Sequence, residues 1–110
     1  MRQSGLLAAA CLYALEHNLG RLAEDHARAS AIARGLDHPS LAVSHPVDSN
    51  IVIVDAAGAG ADTRLVAHLA GRGILVLGFG PGRVRLVPNL MNSDADIARV
   101  IEALNAFPRP

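Results

Sequence analysis

Apolar residues crowd every side of the stretch "SGLLAAACLYALEH", residues 4–17. Its alanines and leucines favour a helix, and a helix apolar all round is a buried one. The pattern therefore predicts packing against more than one neighbour, with Cys11 buried as a small hydrophobe. That is more apolar helix than one small sheet can cover, which implies a partner beyond these residues. Asn18 then marks a break or the N-cap of a second helix. In "LGRLAEDHARASAIARG" the residues Leu19, Leu22, Ala29, Ala33 and Leu36 fall on roughly one face. Glu24 and Arg28 form an i, i+4 pair on another. Gly35 suits a left-handed C-cap.

The period changes downstream. "LDHPS" is a turn, "LAV" a short edge strand and "SHPVDSN" a second loop. "NIVIVD", residues 50–55, is β-branched, apolar and bounded by polar residues, which predicts a strand. "AAGAGAD" is a small-residue loop, and Asp62 caps a helix that runs to about Ala70 and closes at Gly71 or Gly73. "ILVLGF", 74–79, is the next strand, "GPG" a turn, and "RVRLV", 83–87, alternates as a half-exposed strand does. Ser93 caps a final helix, with Asp96 three residues on as a relative of the capping box. That helix runs to about Ala106. A tight turn between the last two strands makes them antiparallel. The fold class that follows is α+β: a two-layer small domain with a mostly antiparallel sheet and packed helices.

Composition narrows the functions. The chain has 110 residues, room for one small domain, and a formal net charge of zero. The basic footprint of a nucleic-acid binder is missing. Tyr13, Phe79 and Phe107 are the only aromatics, too few for base-stacking platforms. No apolar run reaches the length of a membrane span. The stretch from Leu6 to Leu15 lacks the flanks of a signal peptide, which gives a soluble, cytoplasmic reading. With one cysteine there is no internal disulfide. The histidines at 17, 26, 38, 45 and 68 have no metal-ligand spacing. All ten basic residues are arginine, so this chain cannot form a lysine Schiff base.

Three stretches invite a chemical reading. "GFGPG" is neither a dinucleotide fingerprint, since no helix opens on it, nor a P-loop, since the lysine is missing. Glycine and proline between strands make a bulged hairpin turn. "AAGAGAD" precedes a helix N-terminus, a place for an anion, but Asp62 puts its own charge there. Arg83 and Arg85 share one strand face. A solvated strand face is the ordinary reading. A guanidinium on a rigid strand is also a good fork for a carboxylate.

Several segments, in order, are similar to one family. "MRQSGLLAAACLYALEHNLGRLAEDHARA", "NIVIVD", "GILVLGFGPGRVRLV" and "SDADIARVIEALNAF" resemble the C-terminal part of low-specificity threonine aldolases. These are pyridoxal-phosphate enzymes of the aspartate-aminotransferase fold type. They cleave β-hydroxy-α-amino acids such as threonine to glycine and an aldehyde. The resemblance implies a cofactor held by a lysine of a large domain that precedes "MRQ", outside this chain. It implies that residues 1–35 are a helical linker from that domain and 36–110 its small C-terminal domain. It carries Arg85 onto the family's substrate-carboxylate arginine and Arg2 onto a contact to the cofactor phosphate. It implies a small amino-acid substrate and a homo-oligomer, with no nucleic acid or membrane partner, and no pyridoxal phosphate held covalently by this chain alone. The sequence departs at "PNLMNS", where Asn89 replaces a usual histidine and Met91 a usual aspartate. The alternative reading is a stand-alone, non-catalytic α+β module that binds a small carboxylate or a partner protein. It rests on a chain that opens with Met and ends on "PRP", as a whole reading frame does.

Overall fold

In the computed structural model, residues 3–89 and 91–109 are described. The elements run α1 (Ser4–His17), a 3-10 turn (Leu19–Arg21), α2 (Leu22–Gly35), β1 (Leu41–Ala42), β2 (Val52–Ala56), α3 (Ala61–Ala70), β3 (Leu77–Gly78), β4 (Arg83–Leu86) and α4 (Asp94–Asn105). The strands form one sheet in the order β1-β2-β4-β3, with each neighbouring pair antiparallel. The fold is α+β in two layers, as the patterning predicts.

One face of the sheet makes the core. Val52, Val54 and Ala56 of β2 and Val84 and Leu86 of β4 are buried, because alternate residues of a strand point the same way. Against them lie Ala29 and Ile32 of α2, Leu65 and Leu69 of α3, and Ile97, Ala103 and Leu104 of α4. Leu65, Leu69 and Leu104 are wholly buried. Each contributes about 1.5–3 kcal/mol by leaving water. The scarcity of aromatics is met by aliphatic packing, with Phe107 closing one end beneath His38 and His68.

Several local expectations are corrected. Gly35 is the last residue of α2 and has no left-handed backbone. Its role is steric: a Cβ there would meet Ile101 Cγ2 at 2.8 Å, so glycine lets α2 and α4 approach. Asn105 locks this junction, donating to the Gly35 carbonyl at 2.9 Å and accepting from the Asp37 amide at 2.8 Å. The cap of α3 is Gly60, not Asp62; Asp62 stands in the first turn, where its charge still favours the positive helix end. The strand expected over 74–79 is confined to Leu77–Gly78. Ile74 is tied instead to the end of α3 through its amide and the Leu69 carbonyl, at 2.9 Å.

The capping box at α4 is complete. Ser93 Oγ accepts from the Asp96 amide and Asp96 Oδ2 accepts from the Ser93 amide. The hydrogen bonds from Ser93 hold the Asp96 carboxyl below the usual aspartate pKa.

The largest correction concerns α1. All its residues are exposed, among them Leu6, Leu7, Leu12, Tyr13 and Leu15, and Cys11 lies on the surface. The apolar-all-round pattern calls for neighbours that this chain does not supply. The beginning of α2 shares this position. Leu19 and Leu22 are exposed, and the buried stripe starts only at Asp25 and continues through Ala29 and Ile32.

Candidate functional site: the open face of the sheet

The helices cover one face of the sheet, and the other carries the polar chemistry. Arg83 and Arg85 alternate with the buried Val84 and Leu86, so both arginines point away from the core. In register, Asp55 stands opposite Arg83, and Ile53 and Leu77 flank Arg85 on β2 and β3. Arg85 thus occupies an interior strand with paired backbone on both sides, a rigid mount for a side chain.

The two arginines have different company. Arg83 Nε lies 3.3 Å from Asp55 Oδ1. Ser44 Oγ donates to Asp55 Oδ2, and His45 Nδ1 lies 3.1 Å from Ser44 Oγ. The Arg83 charge is therefore balanced locally. Among the described residues, no carboxylate pairs with Arg85. Its guanidinium carbon lies 5.8 Å from the centre of the Phe79 ring, a cation–π arrangement. A cation half-buried beside Ile53, Leu77 and Phe79, with no counter-charge, is chemically disposed to take an anion, and a planar guanidinium grips a carboxylate in two places.

The glycine-rich turn sets this geometry. Gly80 and Gly82 have φ of 76° and 72°, backbone that side chains rarely adopt. They let Phe79 accept the antiparallel pairing of a tight hairpin, its amide donating to the Arg83 carbonyl at 2.8 Å. The Gly82 carbonyl accepts from the Ala56 amide at 2.8 Å and joins the turn to β2. "GFGPG" is a hairpin turn whose one aromatic bends back toward Arg85. Neither Phe79 nor Asp55 is singled out by the sequence reading. The signal for Phe79 was its place two residues beyond Leu77 on the same strand face.

The remaining candidates lie elsewhere. Arg2 is outside the described residues. Asn89 and Met91, at the departure from the family pattern, form a turn: Asn89 Oδ1 accepts from the Met91 amide and Asn92 Oδ1 from the Asn89 amide. Arg28 reaches Asp94 of α4 at 3.2 Å, closer than its i, i+4 partner Glu24 at 3.9 Å. His38 and His68 are fastenings: His38 donates through Nε2 to the Phe107 carbonyl at 2.6 Å and accepts at Nδ1 from the Ser40 amide, and His68 Nε2 bonds the Ala103 carbonyl. Among the described residues no group of three or more His, Cys, Asp or Glu is placed to hold a metal ion. No helix among them is long and apolar enough to cross a membrane. Two concavities, of about 480 and 420 Å³, lie between α2 and α4 and between α3 and Phe107, away from Arg85.

Residues 1–59, from α1 through β2, match the profile of the beta-eliminating lyases. The chain belongs to the beta-eliminating lyase family. It is 35% identical over 108 residues to a probable low-specificity L-threonine aldolase 2 of Arabidopsis thaliana, a match covering 92% of this chain and 30% of that protein. It is 37% identical over 107 residues to the low specificity L-threonine aldolase of Escherichia coli K12, covering 97% of this chain and 31% of that one. A second Arabidopsis thaliana protein, low-specificity L-threonine aldolase 1, is 33% identical over 101 residues, with 88% and 28% covered. This lyase-family chain thus spans about 30% of the length of the curated relatives it matches. The aldolase matches extend past the profile to take in β3 and β4, and with them Arg85.

Beta-eliminating lyases are in general pyridoxal-phosphate enzymes. The residues of this lyase-family chain do not fit the covalent seat of that cofactor. All its basic residues are arginines, and an imine needs a lysine amine.

Proposed function

We propose that this chain is the C-terminal part of a threonine-aldolase-like lyase, a linking helical segment and the small domain, and that Arg85 grips the α-carboxylate of its substrate. The substrate class is the β-hydroxy-α-amino acids, cleaved to glycine and an aldehyde. The reading is carried by one observation: a rigidly mounted guanidinium, without a carboxylate partner among the described residues, on the uncovered face of the sheet. The similarity to low-specificity L-threonine aldolases supports that choice of substrate class.

In this reading residues 1–35 lead in from a large domain that bears the cofactor lysine, and 36–110 form the small domain. The second half of α2 helps to seal the small-domain core through Ala29 and Ile32. Arg2 contributes to the cofactor phosphate. The complete enzyme is a cytoplasmic homo-oligomer. Pyridoxal phosphate supplies the electron sink for the glycine carbanion when bound. The part played by this chain is to orient the amino acid and to wall its site.

The test is genetic and then biochemical. The reading frame upstream of the Met1 codon is expected to continue into a lysine-bearing domain. The polypeptide so encoded is expected to retain pyridoxal phosphate through desalting and to cleave threonine, and the 110-residue chain to do neither. A frame that stops at Met1, or threonine cleavage by the 110-residue chain, contradicts the proposal. The first of these outcomes favours the stand-alone module.

A further inference from the structure

We infer that Phe79 is a positioning residue for carboxylate recognition, its ring holding the Arg85 guanidinium at the open face of the sheet. The inference rests on the reading of Arg85 as the carboxylate clamp, and adds to it the residue that keeps the clamp in place.

An arginine side chain is long and flexible, and ordering it costs entropy. Arg83 is ordered by a countercharge, Asp55. A countercharge beside Arg85 would compete with the substrate carboxylate, so the clamp has to be held by something that is not an anion. Phe79 meets that need. Its ring lies 5.8 Å from the Arg85 guanidinium carbon and attracts a cation through its electron-rich face, while leaving the N–H groups at the guanidinium edge to donate.

Phe79 has little other work. It is 45% exposed and stands outside the aliphatic core. Its backbone, not its ring, closes the hairpin, through the Phe79 amide and the Arg83 carbonyl. Replacing the ring with another apolar group of similar bulk therefore leaves the fold's hydrogen bonds in place. The left-handed Gly80 that follows turns the chain immediately after Phe79, which fixes the ring at the mouth of the hairpin beside the strand that carries Arg85.

The test separates a ring from mere bulk. In the complete lyase, Phe79→Leu is expected to raise KM for threonine about two- to fivefold, the range of a partly exposed cation–π contact, with kcat nearly unchanged. Phe79→Tyr is expected to restore KM, because it keeps the ring. In the 110-residue chain, nuclear magnetic resonance is expected to show the Arg85 side-chain methylene protons shifted upfield by the ring current in wild type and Phe79→Tyr, and not in Phe79→Leu. If Phe79→Leu matches wild type in KM while Arg85→Ala loses binding, the positioning role is overturned and the clamp stands. If Arg85→Ala itself leaves KM unchanged, the clamp falls and the role of Phe79 falls with it. Arg85 methylene shifts that are the same in Phe79→Leu and wild type also overturn the inference.

Discussion

At Gly35 a hydrogen stands where any other residue would carry a carbon, and the packing of two helices depends on it. A Cβ would lie 2.8 Å from Ile101 Cγ2 and 3.0 Å from Cδ1. Isoleucine in a helix has essentially one comfortable χ1, so it cannot step aside without strain. In an exposed helix Gly→Ala adds about 1 kcal/mol. Here overpacking of about 1–3 kcal/mol opposes that gain. Gly35→Ala is therefore expected to lower stability in urea unfolding, and a rise in the midpoint contradicts the steric account. Gly35 stands at the helix end, as its place in the sequence implies, but for a steric reason and not a left-handed cap. A C-cap and a close contact both select glycine, and only the position of Ile101, 66 residues away, distinguishes them. Ser93 and Asp96 were legible because a capping box is local. Arg85 was legible as a candidate from its strand, and the clamp role proposed for it comes only through the family resemblance. Phe79 was not, because its relation to Arg85 exists only once the hairpin is folded.

At the scale of elements, α1 and β3 teach opposite lessons. The apolar pattern of α1 gave the right helix and a buried environment that the chain does not contain. Periodicity reports what a segment needs, and a partner outside the chain leaves the same pattern as one inside it. The apolar run over 74–79 predicted a longer strand than forms, because strand length is set by pairing. β4 pairs in register with Leu77 and Gly78 and takes one further hydrogen bond from the Phe79 amide, and residues 74–76 lie outside that pairing. The exposure of α1 has a measurable result. Large uncovered apolar patches drive association, so the 110-residue chain is expected to self-associate in sedimentation experiments. Replacing Leu7 and Leu12 with glutamine is expected to reduce that association. Neither leucine touches the core, so the unfolding free energy of the remainder should change by no more than about 0.5 kcal/mol each. A chain that stays monomeric at high concentration with α1 intact contradicts this view.

The whole molecule is longer than its length in residues warrants. Its radius of gyration is 16.2 Å, against about 13 Å for a compact chain of this size. Its extents are 53 × 28 × 25 Å. The excess lies where α1 and the start of α2 extend beyond a well-packed two-layer unit. Two surfaces stand uncovered: an apolar helix, and a sheet face on which, among the described residues, Arg85 has no carboxylate partner. Both are accounted for if the chain completes a larger lyase; it spans only about 30% of the length of its aldolase relatives. The α+β class was legible from patterning because each layer has its own period. The site was legible only in part, since the hairpin that brings Phe79 beside Arg85 is a property of the folded sheet.

The central claim is that Arg85 holds the substrate carboxylate, and steady-state kinetics of Arg85→Ala in the complete lyase test it most directly. The account predicts a loss of amino-acid binding of about 2–5 kcal/mol, the cost of removing one partner from a desolvated charge pair, read as a rise in KM for threonine. Unchanged KM and kcat would contradict it.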